Sequence, residues 1–148
     1  MLSRHRHHCS RRRGAALVEA AIVLPIFFMV VLGIIEFGRA MMVSQLITNA
    51  AREGARLAIV DGQTNTSVEQ SIDSFMLESA NVAATDVTVT ITITEAAGNP
   101  PALNQVASAN SRDLIAVDVQ VPFDKVSFIP GDYLNGRMLR GIASMRHE

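Results

Sequence analysis

Side chains that could bind a metal are concentrated at the start of the sequence. They are His5, His7, His8 and Cys9. Imidazole and thiolate are ligands for zinc, and this spacing would permit a site. The same segment is strongly basic, however, with five arginines and no acid in residues 1–14. A basic segment next to an apolar run is typical of the cytoplasmic flank of a membrane helix. We therefore predict no metal and no cofactor.

Side chains that could support hydrolysis are scattered over the rest of the chain. After residue 14 the only histidine is His147, one residue from the end. No sequence pattern places a nucleophile and a carboxylate beside it, as a catalytic triad would require. The seven aspartates occur singly and are expected on the solvated surface: Asp61, Asp73, Asp86, Asp113, Asp118, Asp124 and Asp132. The pattern predicts a protein that is not an enzyme. An exported small hydrolase is one alternative, and it requires a carboxylate pair in a concave acidic pocket.

Charge is distributed unevenly along the 148 residues. Charged residues make up 18% of the chain and hydrophobic residues 49%, whereas an ordinary soluble domain is about 25% charged. The part that follows residue 14 has 8 basic and 14 acidic residues, a net charge of -6. It lacks the basic face that phosphate backbones require, so we expect no nucleic-acid partner. A single cysteine excludes a disulfide within the chain.

An apolar run follows the arginines and extends from Ala15 to Gly38. As a helix it would be roughly 36 Å long, enough to cross a hydrocarbon core of about 30 Å. We predict one transmembrane helix over about 18–40, kinked at Pro25, with a cytoplasmic N-terminus because Arg11–Arg13 precede it. A cleavable secretory signal is the alternative, although the run is longer than a usual signal core.

Glu19 lies near the start of this run. A charged side chain at the centre of a membrane helix costs on the order of 2.5–3.5 kcal/mol, so Glu19 either reaches the interface or has a function. Cleavage after Gly14 would free the amine of Ala15, which lies four residues before Glu19 on the same helical face. The carboxylate would then have a positively charged partner in an apolar environment.

Residues 14–60 resemble the N-terminal signature of TadE-like proteins, minor pilins or pseudopilins of the Flp (tight adherence) pilus system. The matching pieces are Gly14 and Glu19, Leu24-Pro25, Ile35-Glu36-Phe37-Gly38-Arg39, the stretch from Asn49 to Arg56, and the ending Met145 to Glu148. The resemblance implies cleavage between Gly14 and Ala15 by a membrane-embedded prepilin peptidase. It also implies that Glu19 is needed for assembly with other pilins.

The resemblance further implies a location. The protein would be a single-pass protein of a bacterial inner membrane with a periplasmic or extracellular body, and it would act in the inner membrane or enter a surface pilus that serves adhesion. Its partners would be the membrane, the prepilin peptidase, other pilins and the pilus assembly machinery. The alternative is a membrane-tethered binding or sensor module that is never processed and keeps residues 1–14.

The long helix is predicted to continue beyond the membrane to about Val60, because apolar residues recur there at helical spacing. Ala50, Gly54 and Ala58 form a row of small residues that would admit either a partner helix or the protein's own sheet. Glu36 and Arg39 lie three residues apart at the outer end of the span. They could anchor the helix at the interface or take part in subunit contact.

The sequence divides into a basic leader (1–14), a long helix (15–60) and a small body (61–148). The body is predicted to be α+β, with one helix over Ser67–Ser79 capped by Thr66 or Ser67 and about three antiparallel strands. The strands are expected at 87–94, 115–121 and 139–146. The connection Ala96–Arg112 is long and has little pattern, which predicts a mobile loop or a contact surface. Edge strands could be completed by a neighbouring chain.

Overall fold

The structure, a computed structural model, describes residues 10–127 and 136–148, with side chains from Gly14 onward. Its helices and strands are α1 (Ser10–Ala58), α2 (Asn65–Ala80), β1 (Thr88–Thr94), β2 (Leu114–Pro122) and β3 (Met138–Arg146). The predicted α+β class, with a long N-terminal helix, a second helix and a three-stranded antiparallel sheet, is confirmed. The histidine and cysteine cluster of the leader and the loop around Pro130 and Gly131 lie outside the described residues.

The chain forms two compact units, Met1–Ile35 and Glu36–Glu148. Among the described residues of the first unit, α1 is apolar and its large side chains are exposed, as Leu17, Ile26 and Phe28 illustrate. Within the described parts of the chain, one helix is long and apolar enough to cross a bilayer: the 45-residue segment Gly14–Ala58 contains an 18-residue window of mean hydropathy 2.7, none of it buried.

The sheet of the second unit has the order β1-β2-β3 and is antiparallel throughout. Ile91 lies opposite Val117, and Val117 lies opposite Ala143. Along β2, buried and half-buried residues alternate, because successive side chains point to opposite faces. The buried set faces the helices. The outer face carries exposed Ile142 and Met138 of β3 together with four exposed threonines of β1: Thr88, Thr90, Thr92 and Thr94.

Helices α1 and α2 pack on the inner face of this sheet. The buried side of α1 has two branched residues, Val43 and Ile47, followed by alanines from Ala50 onward. The small residues allow close approach: a Cβ placed on Gly141 of β3 would lie 2.8 Å from the backbone nitrogen of Thr48. A Cβ on Gly54 of α1 would lie 2.6 Å from the Ile72 Cδ1 atom.

Two predicted helix boundaries are wrong by a few residues. Helix α1 ends at Ala58 rather than Val60, and Gly62 of the following turn has a φ of 82°, a conformation that favours glycine. Helix α2 begins at Asn65 rather than Ser67, because Thr64 is the cap: its side chain accepts from the Ser67 N–H, and the Ser67 hydroxyl accepts from the Thr64 N–H. This reciprocal pair satisfies two amide donors that a helix start otherwise leaves open.

The long connection between β1 and β2 is held to the body by hydrogen bonds. The Asn104 carboxamide oxygen accepts from the Ile93 N–H at 2.9 Å, and Glu95 accepts from the Ala102 N–H at 3.0 Å. Ala102 and Val106 are buried in the core. The prediction that this segment lacks pattern missed these contacts, because each joins polar side chains to backbone groups several residues away.

Candidate functional site

The residues predicted to take part in processing all lie in α1. Gly14, Ala15 and Glu19 are helical and exposed. Ala15 and Glu19 are separated by four residues, about one turn and 6 Å of rise, so they share a face of the helix. Pro25 also lies within this helix. Glu19 therefore has apolar neighbours along α1 and shares a helical face with Ala15.

Glu36 is the first residue of the second unit and is buried, with 3% of its surface exposed. Its Oε1 atom accepts a hydrogen bond from the Ser127 hydroxyl. Its Oε2 atom is buried and has no hydrogen-bond partner among the described residues. A buried carboxyl oxygen without a partner is destabilising. The packing around Glu36 and its bond to Ser127 must therefore offset this cost.

Arg39 lies one turn after Glu36 and also contacts the body. Its Nε atom donates to the Val126 carbonyl at 3.2 Å, and its Nη2 atom donates to the Ala80 carbonyl at 3.4 Å. Helix α1 is therefore tied at this level both to the end of α2 and to the segment after β2. The sequence suggested interfacial anchoring or subunit contact for these two residues and missed their contacts within the chain, because the partners are 41 to 91 residues away.

The row of small residues on α1 faces the protein's own core. Ala50 and Ala58 are completely buried, and Gly54 lies against Ile72 of α2 and Val117 of β2. The sequence left open whether this row packs against a partner helix or on the protein's own sheet. In the structure the row packs within the chain's own core.

A cavity of about 370 Å³ lies beside Arg39. Its wall combines the end of α2, the segment after β2 and Arg39: Arg39, Glu78, Ser79, Ala80, Asn81, Lys125, Val126 and Ser127. The Lys125 ammonium lies 2.9 Å from the Asp86 carboxylate and keeps 52% of its side chain exposed. Charges of both signs therefore line this cavity.

A second cavity of about 370 Å³ lies between α2 and the start of β1. Glu69 and Asp73 line it together with Ala84, Val87, Thr88 and Val89, and burial raises the pKa of the Asp73 carboxyl. Two carboxylates therefore line this cavity, whereas the hydrolase alternative requires a carboxylate pair positioned for catalysis. Its lining offers two carboxylates and one hydroxyl, and the only described histidine, His147, lines neither cavity.

Asp113 contradicts the expectation that the aspartates are solvated. It is completely buried, and its carboxylate accepts from the N–H groups of Ala96 and Asn110 and from the Asn99 amide at 2.6 to 2.8 Å. These donors hold the pKa of the Asp113 carboxyl below its usual value, the Ala96 bond most strongly. Asp113 therefore organises the connection between β1 and β2. No group of three or more potential metal ligands occurs among the residues that the structure describes.

Gly14, Glu19 and Glu36 all lie in the part of the chain that matches a known protein family. Residues 14–56 match the family model of the TadE-like protein. The resemblance predicted from the sequence is confirmed over this segment. The TadE-like segment covers less than a third of the chain, so most of the body lies beyond it.

Neither curated proteins nor solved structures gave a significant match. The TadE-like segment indicates a pilin-like protein associated with a Tad pilus, and the TadE-like family is a structural, pilin-like family. The apolar part of α1 indicates membrane anchoring.

Proposed function

We propose that the protein is a minor pilin or pseudopilin that acts in the assembly of a Flp-type pilus. A prepilin peptidase would cleave it between Gly14 and Ala15. The observation that carries this proposal is the TadE-like segment, in which Glu19 lies on an exposed apolar helix one turn after Ala15. The arginines before Gly14 would keep the leader in the cytoplasm and direct the body outward.

Cleavage would create a positive charge at Ala15, one helical turn before the Glu19 carboxylate. Before cleavage the nitrogen of Ala15 is an amide, and an ionised Glu19 has no cation on its own face within one turn. After cleavage the Ala15 ammonium compensates the carboxylate, either within one helix or between neighbouring subunits. The helix could then leave the bilayer for a bundle of apolar helices. Both environments are apolar, so little solvation free energy opposes the transfer.

The contacts of Glu36 also refine the extent of the proposed span. The sequence predicted a span over about 18–40, whereas Glu36 and Arg39 contact polar groups of the body. We propose that the hydrocarbon-spanning segment ends near Ile35. Residues 15–35 are sufficient, since about 20 apolar helical residues cross a typical bilayer.

The proposal is tested by the intact mass and the first residue of the protein recovered from membranes of its own host. We expect a chain that begins at Ala15 and an uncleaved chain in Gly14→Ala. Gly33→Ala is the matched control, because it introduces the same methyl group into α1, where a new Cβ meets no atom within 4 Å. A wild-type chain that still begins at Met1 or Leu2 would refute processing and favour the tethered binding or sensor module.

The role of Glu19 is tested separately in Glu19→Gln. We expect this variant to be cleaved and to remain in the membrane, but to be lost from complexes with other pilins, because the Ala15 ammonium then has no carboxylate. The measurement is co-purification of pilins after crosslinking in membranes. Recovery equal to wild type would show that Glu19 is not needed for assembly.

A further inference from the structure

The two edges of the sheet differ in how they are protected. On β1, the Asn104 side chain occupies the edge-facing N–H of Ile93. The other edge is β3, which pairs only with β2 among the strands that the structure describes. Its nine residues are paired continuously, without a bulge or a proline. Bulges and prolines commonly protect strand edges from other chains, so β3 lacks both of these features.

The hydrogen bonds at the two ends of β3 show which of its backbone groups face outward. The Phe123 N–H donates to the Arg137 carbonyl at one end. The His147 N–H donates to the Asp113 carbonyl at the other. Bonded and non-bonded pairs alternate along an antiparallel ladder, so the odd-numbered residues from 137 to 147 bond toward β2. The even-numbered residues direct their N–H and C=O groups away from β2. The open edge of β3 is formed by the backbone groups of Arg140, Ile142 and Ser144.

This open edge is accessible and held in place. Within residues 10–127 and 136–148, no other group forms a hydrogen bond with it. The side chain of Ile142 is exposed beside it. A Cβ on Gly141 would lie 2.8 Å from the Thr48 nitrogen, so the strand already rests against the backbone of α1. A strand added here would gain main-chain hydrogen bonds and would meet a partner that loses little freedom on binding.

The charge of β3 indicates which kind of strand fits. Residues 136–147 include three arginines and no acidic residue. Arg140 is paired with Asp118. The exposed side chains of Arg137 and Arg146 form no ion pair with any residue that the structure describes. They flank the strand at its two ends, about 30 Å apart along an extended chain. An added strand with a carboxylate at each end would complement both of them.

A second copy of the chain is a poor partner for this edge. Its own β3 carries the same positive charge, and its β1 edge is occupied at Ile93. We propose that β3 binds an extended, acidic segment of another protein, which adds a fourth strand to the sheet. Hydrogen bonds to the open edge would supply affinity, and carboxylates opposite Arg137 and Arg146 would supply selectivity. The proposal depends neither on cleavage after Gly14 nor on a pilus.

The test uses the full chain in detergent and a labelled nine-residue peptide in which valine and threonine alternate between two terminal glutamates. Fluorescence anisotropy measures binding, and NMR follows amide exchange in β3 residue by residue. We expect the amides of Ile142 and Ser144 to exchange at least about tenfold more slowly in the complex, because each gains a hydrogen bond. The amides of Gly141 and Ala143 should not change, since they already bond to β2.

Two matched comparisons separate strand addition from general attraction. Methylating the peptide's threonine nitrogens or its valine nitrogens removes one alternate set of amide donors or the other. One set should weaken binding at least about tenfold, because it faces β3, whereas the other set should have little effect. Arg146→Glu should weaken binding about threefold to tenfold, because repulsion replaces attraction. Arg52→Glu is its control, since it reverses the charge of an exposed arginine on α1, and it should leave the affinity unchanged.

Equal losses with the two methylated peptides, or unchanged exchange at Ile142 and Ser144, would overturn the strand site. A peptide with lysines in place of the glutamates that binds as tightly would overturn the acidic partner. A free chain that sediments as a dimer with these two amides protected would show that a second copy occupies the edge, which also overturns the proposal. Each of these outcomes leaves the pilin proposal intact.

Discussion

The contact between β3 and α1 at Gly141 gives the sharpest prediction of stability. In Gly141→Ala the new Cβ would lie 2.8 Å from the Thr48 nitrogen and 2.9 Å from the Ile47 carbonyl carbon. Ordinary contacts of this kind are about 3.5 Å long, so helix and strand would have to separate by roughly 0.7 Å. Both neighbours are backbone atoms and cannot rotate away. Overpacking of this kind costs about 1–3 kcal/mol, and the upper end applies here.

For a unit of this size, a loss of about 3 kcal/mol corresponds to a fall in Tm of roughly 10 °C. The assay is thermal unfolding of the full chain in detergent, followed by circular dichroism and by hydrogen exchange of β2 and β3. Gly38→Ala is the matched control, because its Cβ would meet no atom within 4 Å. It should raise stability by about 0.5–1 kcal/mol, as alanine does in an exposed helix. Gly54→Ala should fall between the two, since the side chain of Ile72 can move.

A Tm of Gly141→Ala within about 2 °C of the wild type would refute the reasoning, because the backbones would then have room for a methyl group. The same conclusion would follow if Gly141→Ala and Gly38→Ala changed stability equally.

Three further predictions concern titration and helix capping. Hydrogen bonds lower the pKa values of Asp113 and Asp118, the latter mainly through Arg140. The stability that these two carboxylates give the folded state is therefore complete above the ordinary carboxyl pKa of about 4. It is lost as the pH falls through their lower folded-state pKa values. Melting curves from pH 7 to pH 3 should show this loss, and it should be smaller in Asp113→Asn. Asp73 has the opposite sign, because burial raises its pKa: Asp73→Asn should raise Tm at pH 7 and have no effect at pH 3, and a decrease at pH 7 would contradict this. Thr64→Ala should cost about 1 kcal/mol through loss of the α2 cap, measured as faster hydrogen exchange in the first turn of α2 with β2 unchanged.

The regular elements of the body could be predicted from the sequence because their signals are local. The alternation of Thr88 to Ile93 and of Ile115 to Val121 requires only neighbouring residues, and both strands were found within one residue. The start of α2 was misplaced because Thr64, Thr66 and Ser67 are all acceptable caps in sequence. Only the reciprocal hydrogen bonds between Thr64 and Ser67 select the first.

The features of the candidate site that the sequence missed depend on distant contacts. The burial of Asp113 requires donors at Ala96, Asn99 and Asn110, which the turn of the connection brings together. An isolated aspartate gives no local sign of such donors. The family resemblance singled out Glu36, but its burial and its bond to Ser127, 91 residues away, were not predicted. Spacing along the helix therefore located the residue without its partner.

The hydrogen bond between Ile93 and Asn104 has a consequence for how densely these molecules can be packed. The Ile93 N–H points away from β2, on the edge where a strand from another molecule would have to pair. Exposed strand edges are templates for aggregation, and proteins confined to a membrane plane meet one another at high local concentration. Because the Asn104 side chain already occupies this donor, an incoming strand must first displace the connection. The loop thus protects this part of the sheet from self-association, and crowded copies can remain individually folded.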